Sequence, residues 1–265
     1  MDDVQTIERT ALWPAARAVA HLPGSLPMGG VVADTPIHAF VQPAAALALA
    51  PNGRTPPRRH DIDLGGLLAF RIDGLLDPHE ADAIVEASER FGYRAEAPGI
   101  QTPPGMRMNK SVHWLADADL MEPMFARMAA LLPPQIDGAT LHPQLSRRLN
   151  MYRYDDGDVF NRHLDGDWPG FALADDRASM VQWPGRLRSC LTMLLYLNGP
   201  ADGVRGGHTR LFRRDGSWHD VTPGKGDALF FRHGFGPGSV GHVGLPVGAG
   251  TPKYVARINV MYDFG

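Results

Sequence analysis

From residue 148 onward the chain is a succession of short apolar segments cut by Gly- and Pro-rich turns: RLNMYRY, RLRSCLTMLLYLN, GHTRLFRR, WHDVTP, DALFFRH and PKYVARINVMYDF. No helix-period stretch lies between them, so the crossover helices that join parallel strands are missing. Strands linked directly by turns imply an antiparallel sandwich or barrel. Thirty glycines and 23 prolines supply the turns without reaching a disordered composition. With 265 residues, one large or two small domains can bury a proper core.

The first half reads differently. Residues 1–60 are Ala- and Pro-rich without clean periodicity; PAAALALA (43–50) fits a short helix and PNGRTPPRRH (51–60) a turn-laden connector. This stretch is expected to form an extension that packs on or caps a main domain at 61–265. GLLAFRIDGLLD fits a strand and a turn, followed by strong helix grammar: Asp77 as N-cap, Pro78 and Glu80 in the first turn, Gly92 after the end. Its stripe is Ala81, Ile84, Val85 and Ala87. A second helix is expected from about Asp117 to Leu132, with Leu120, Phe125, Met128 and Leu131 on one face. RMNKSVHWL (107–115) fits a solvated strand or a substrate lid, and the long segment between Trp168 and Trp183 a lid that sets specificity.

Composition excludes several functions. A net charge of −3 gives no electrostatic reason to bind nucleic acid or an anionic membrane. The single cysteine, Cys190, excludes an internal disulfide and fits a reducing compartment. The acidic start MDDVQTIERT lacks the basic, then apolar, character of a signal peptide. A cytoplasmic protein is expected.

Within FNRHLDGDWPG, His163 and Asp165 stand two apart, and on a strand they share a face. Chance alone produces about one His-x-Asp in a chain of this composition, so the tripeptide decides nothing by itself. Two histidines and one carboxylate make the facial set of non-haem Fe(II) oxygenases, and His208, His219, His233 and His242 are the candidates for the third ligand. In the last segment Lys253, Val255, Arg257 and Asn259 share a face. Cations aimed inward from a β body require an anion, because an unpaired buried charge is costly.

In their order and spacing, YRYDDGDVFNRHLDGD, LTMLLYLN, GGHTRLF, VTPGKGDALFFRH and HVGLPVGAGTPKYVARINVMYDF resemble the Fe(II)/2-oxoglutarate-dependent dioxygenases of the prolyl 4-hydroxylase type, over about residues 148–263. The resemblance implies an α+β, mainly β fold, with a double-stranded β-helix (jelly-roll) core and flanking N-terminal helices. It implies His163, Asp165 and His242 as iron ligands, and Lys253, Tyr196, Tyr154 and Arg257 around 2-oxoglutarate. Thr192, Cys190 and Arg188 would share the cavity face with Tyr196. Lys253 stands 11 positions after His242, one more than the family pattern, and Arg257 replaces something smaller or neutral.

The implied cofactors are Fe(II), 2-oxoglutarate and O2, with ascorbate as a candidate reductant. The implied reaction hydroxylates an unactivated C–H bond and releases succinate and CO2. The expected substrate is a small carboxylated metabolite or amino acid, held by Asn150, Tyr152, Arg257, Asn259 and Trp168; a peptidyl, prolyl-type hydroxylase is the alternative. A jelly-roll metal-binding protein or zinc-type hydrolase would use the same three ligands but has no need of the Lys253 and Tyr196 clamp.

Overall fold

The computed structural model describes residues 13–22, 35–95 and 105–265. Its first elements are β1 (Ala16–Leu22), β2 (Thr35–Phe40), β3 (Arg58–Asp61), β4 (Ala69–Asp73), α1 (Pro78–Phe91), β5 (Lys110–Leu115), α2 (Ala118–Met128), β6 (Gln135–Ile136) and β7 (Ala139–Leu145). The β-rich remainder comprises β8 (Arg148–Tyr154), β9 (Phe160–His163), β10 (Phe171–Leu173), β11 (Met180–Gln182), β12 (Leu187–Tyr196), β13 (Thr209–Phe212), β14 (Trp218–Val221), β15 (Ala228–Arg232), β16 (His242–Gly244) and β17 (Lys253–Asp263).

Two sheets make the body. The main sheet runs β1-β2-β5-β8-β17-β12-β15-β4-β3, with β7 also on β17; the small sheet runs β14-β13-β16-β9. Pairing is antiparallel throughout except between β2 and β5, which run parallel, so the N-terminal hairpin extends the main sheet through the one connection the turn pattern did not foretell. The fold is α+β and mainly β, a jelly roll with helices on one face.

Side-chain alternation divides the main sheet. One face of β17, β12 and β15 presents Ala256, Ile258, Met193, Leu195 and Phe230 to Ala81, Ile84 and Ala87 of α1 and Leu120, Met121 and Met124 of α2. The alternate residues Val255, Leu194, Tyr196, Leu229 and Phe231 face Leu211, Val221 and Val240 across the space between the sheets. Each large apolar side chain so buried contributes roughly 1.5–3 kcal/mol.

The helices follow their local grammar. Glu80 Oε2 accepts the Asp77 backbone N–H at 2.8 Å, and Gly92 ends α1 at φ 84°, where L side chains are strained. α2 stops at Met128, and residues 129–131 tighten into a 3-10 turn. Its buried stripe is Leu120, Met121, Met124 and Met128; Phe125 and Leu131 lie at the margin. PAAALALA holds only a 3-10 turn at Ala45–Leu47, though Ala44, Leu47 and Leu49 enter the core.

Two loop expectations need correction. Lys110–Leu115 of the stretch 107–115 is neither lid nor solvated: it is β5, buried between β2 and β8 in the main sheet. The segment from Trp168 to Trp183 is not an open loop but the hairpin β10–β11. Its closing contact needs Gly170, since a Cβ there would meet the Trp183 ring at 2.1 Å.

Candidate metal and cosubstrate site

β9 and β16 are neighbours in the small sheet, and their register sets His163 directly opposite His242 with ring centroids 4.1 Å apart. Asp165 lies two residues past the end of β9. One ligand atom from each of the three falls within 4.8 Å of the others, with His163 Nε2 3.7 Å from Asp165 Oδ1 and His242 Nε2 3.9 Å from Oδ2. His163 Nδ1 donates to Asn161 O at 2.7 Å and His242 Nδ1 faces Val240 O at 3.4 Å. A carbonyl only accepts, so both protons sit on Nδ1 and both Nε2 lone pairs turn toward Asp165. Burial pushes His163 down and His242 to about 3, which keeps both imidazoles in the neutral, metal-binding form.

Burial alone would raise the Asp165 carboxyl. Arg257 foremost, with the Thr192 hydroxyl, holds it well below the usual carboxylate range. Its Oδ2 accepts from Arg257 Nε at 2.9 Å and from Thr192 Oγ1 at 2.7 Å, leaving Oδ1 toward His163.

Behind Thr192 the hydrogen-bond directions are determined. Thr192 has one proton and gives it to Asp165, so His233 Nδ1–H donates to Thr192 Oγ1 at 2.8 Å. His233 Nε2 then accepts from Ser189 Oγ at 2.9 Å, and Ser189 accepts the Trp168 backbone N–H at 2.8 Å. His233, the rival ligand of the sequence, is thus buried behind the carboxylate, outside the ligand cluster.

On the other side of the cluster Lys253 is 2% exposed. Its Nζ donates to Gly207 O and lies 4.9 Å from the Tyr154 ring centroid and 5.8 Å from that of Tyr196. It makes no ion pair among the described residues, and burial pushes its amine down to about 7. Gly207 is required for this approach: φ is 66°, and a Cβ would lie 2.9 Å from Lys253 Cδ. The Tyr196 hydroxyl donates to Thr209 Oγ1 at 2.8 Å, so Thr209, rather than Tyr196, lines the cavity beside Lys253.

The remaining predicted residues divide. Tyr152, Tyr154 and Arg257 line the same cavity as the ligand cluster and Lys253. Asn150 is opposite Arg257 on the same face but is bonded to His113, and Asn259 is buried there with Oδ1 unpartnered. Trp168 is brought to Arg148, 5.9 Å from its ring centroid, and does not line the cavity.

Cys190 and Arg188 do not share the cavity face with Tyr196. A bulge between Ser189 and Leu191 breaks the alternation, so Cys190 joins the helix-side core while Arg188 turns outward to Asp167. Sequence reasoning missed Thr209 and Phe160 (stacked on His163 at 3.6 Å), which line the cavity. Arg148 alternates with Asn150, Tyr152 and Tyr154 on β8 but does not line that cavity.

Two neutral imidazoles, one ionised carboxylate and a nearby unpaired buried ammonium form a donor set that fits a divalent metal with a carboxylate cosubstrate. The other group of possible ligands among the described residues, Asp77, His79 and Glu80, is committed elsewhere: Glu80 caps α1 and pairs with Arg127.

Residues 149–261 match the family model of the 2OG-Fe(II) oxygenase superfamily. No curated protein matches the chain. Among solved structures, it is similar to the viral collagen prolyl hydroxylase of Paramecium bursaria Chlorella virus-1 in its 2OG complex, at 21% identity over 75% of this chain and 98% of that one, with TM-score 0.49. A prolyl-4-hydroxylase from Pseudomonas putida is similar at 20% identity over 75% and 95%, TM-score 0.49. A prolyl hydroxylase from Trichoplax adhaerens, in complex with a hypoxia inducible factor peptide fragment, is similar at 16% identity over 74% and 83%, TM-score 0.53. At these identities the likeness concerns the fold.

Proposed function

We propose, for a chain whose residues 149–261 match the 2OG-Fe(II) oxygenase superfamily, that His163, Asp165 and His242 hold Fe(II) and that Lys253 receives the distal carboxylate of 2-oxoglutarate. As a 2-oxoglutarate-dependent dioxygenase it uses Fe(II), 2-oxoglutarate and O2. Together these supply the oxidation that releases succinate and CO2 and places a hydroxyl group on an unactivated C–H carbon.

The protein's part is orientation. The Nδ1 donations aim the two histidines, and Thr192 and Arg257 pin Asp165 Oδ2 so that Oδ1 faces the metal position. The observation that carries the reading is Lys253: a buried ammonium without an acid partner, across the cavity from the ligand cluster. Arg257 is not its equal, because Asp165 already neutralises it.

The substrate is a small carboxylated metabolite or amino acid, in keeping with the polar row Asn150, Arg257 and Asn259 on the buried face. A second reading, hydroxylation of a peptide, is favoured by a groove beside His163 lined by Arg162, Leu164, Phe212, Arg213 and Arg214, in which Leu164 is 43% exposed. Succinate formation from 2-oxoglutarate by the Fe(II)-loaded protein tests the reaction. O2-dependent turnover lost in both His163→Ala and Lys253→Ala is expected; turnover that survives either substitution contradicts the assignment.

A further inference from the structure

The face that carries Lys253 and Arg257 holds one more buried cation. Arg148 begins β8 and shares its face with Asn150, Tyr152 and Tyr154. It is 7% exposed, its Nε has no hydrogen-bond partner, and it makes no ion pair among the described residues. Its guanidinium lies 5.9 Å from the Trp168 ring centroid and 5.7 Å from that of Phe171. Burial pushes it down to about 10. Other buried arginines have carboxylates, Arg127 with Glu80 and Arg257 with Asp165. An unpaired buried charge is costly, and a bound anion offsets that cost.

Unsatisfied buried groups of both polarities occur near the same face of β8, where the Arg107 guanidinium lies over the Tyr152 ring. Arg107 Nη2 is a buried donor without a partner. His113 Nε2 is a buried acceptor without one, and its polarity can be assigned: Asn150 Nδ2 donates to Arg257 O, so Asn150 Oδ1 faces His113 and the His113 proton sits on Nδ1. Asn259 Oδ1 is also unpartnered. Unmet donors ask for an anion, and unmet acceptors ask for an N–H or O–H. A free amino acid carries both, on adjacent atoms.

The position suits a substrate. Along β8, Tyr154 lies opposite Lys253 and Asn150 opposite Arg257, the partner of Asp165; Arg148 is one same-face step further. The candidate metal ligands therefore lie between two unpaired cations, with Tyr154 and Arg148 roughly 20 Å apart along the strand.

We propose that Arg148 binds the carboxylate of a free α-amino acid substrate, with the His113 Nε2 lone pair accepting from its amino group. This rests on the dioxygenase reading and names the substrate class for it.

The test is the thermal midpoint of Mn(II)- and 2-oxoglutarate-loaded protein under nitrogen, with three equimolar mixtures as probes: the free L-amino acids, their methyl esters, and their N-acetyl derivatives. Free amino acids should raise the wild-type midpoint by about 2–4 °C, saturably, and the other mixtures should not. The shift should vanish in Arg148→Gln while 2-oxoglutarate affinity stays within twofold. Asn259→Asp places a carboxylate on the same buried face and should also abolish the shift, which covers a failure of Arg148→Gln to fold. No shift in wild type, or the same shift in either variant, overturns the proposal. A response to the N-acetyl mixture equal to that of the free acids overturns the role of His113 and favours a peptide. If 2-oxoglutarate fails to bind wild type while free amino acids still shift it, the dioxygenase reading falls and this site stands.

Discussion

The helix-packed side of the main sheet and the space between the sheets both bury cations, yet they satisfy them differently. On the helix side the Arg127 side chain is 2% exposed, and its guanidinium is paired at 2.7 Å with both oxygens of Glu80 and bonded to Leu75 O and Ala50 O. On the opposite face Lys253 and Arg148 are also buried and meet aromatic rings and a carbonyl but no carboxylate. A charge buried for structure carries its counter-ion with it; a charge buried without one is held ready for an anion from outside. Arg257 belongs to the first kind although it stands among the second, because Asp165 is its partner.

Removing the partner on each side should break the molecule in different ways. Glu80→Ala strands Arg127 and should lower unfolding free energy in urea by about 3–5 kcal/mol. Lys253→Met leaves no charge unpaired, only the Gly207 carbonyl without its donor, and should leave the protein about as stable without cosubstrate; a loss comparable to that of Glu80→Ala would erase the distinction. Thr192→Val releases one of the two bonds on Asp165 Oδ2 and should weaken Mn(II) binding about 10–100-fold, measured by equilibrium dialysis, with the fold retained.

A further effect should appear with pH. Lys253 titrates near 7 when folded and 10.5 otherwise, so between those values the unfolded chain binds more protons. Stability should therefore rise from pH 7 to 10.5, by at most about 1.4 kcal/mol per pH unit, and Lys253→Met should lose that rise. Smallest of all, Cys190 faces the helix-side core with its thiol pushed by burial to about 11, so iodoacetamide at pH 8 should leave the folded protein unlabelled. Rapid labelling that blocks 2-oxoglutarate binding would return Cys190 to the cavity.

Much of this was legible in the sequence because period-2 alternation and cap chemistry are local. The strands after residue 148, α1 with its cap, and the shared face of Lys253, Arg257 and Asn259 all follow from spacing. What stayed hidden depends on partners far along the chain. The bulge at Cys190 exchanges two faces without a Gly or Pro to mark it. β5 looked solvated because its Lys, Ser and His were counted as polar, whereas Ser111 and His113 line the buried face opposite Tyr152 and Asn150. His242 became the partner of His163 only through the register of β9 and β16, 79 residues apart in sequence. That Arg257 is neutralised and Lys253 is not could not be read from either residue's own strand.

The most direct measurement is the affinity of Mn(II)-loaded protein for 2-oxoglutarate under nitrogen, compared among wild type, Lys253→Met and Arg257→Met. If unpaired burial marks the anion site, Lys253→Met loses about 100-fold in 2-oxoglutarate affinity with Mn(II) binding intact, while Arg257→Met chiefly weakens Mn(II) by freeing Asp165. Wild-type 2-oxoglutarate affinity in Lys253→Met, with the loss falling on Arg257→Met instead, would contradict the account.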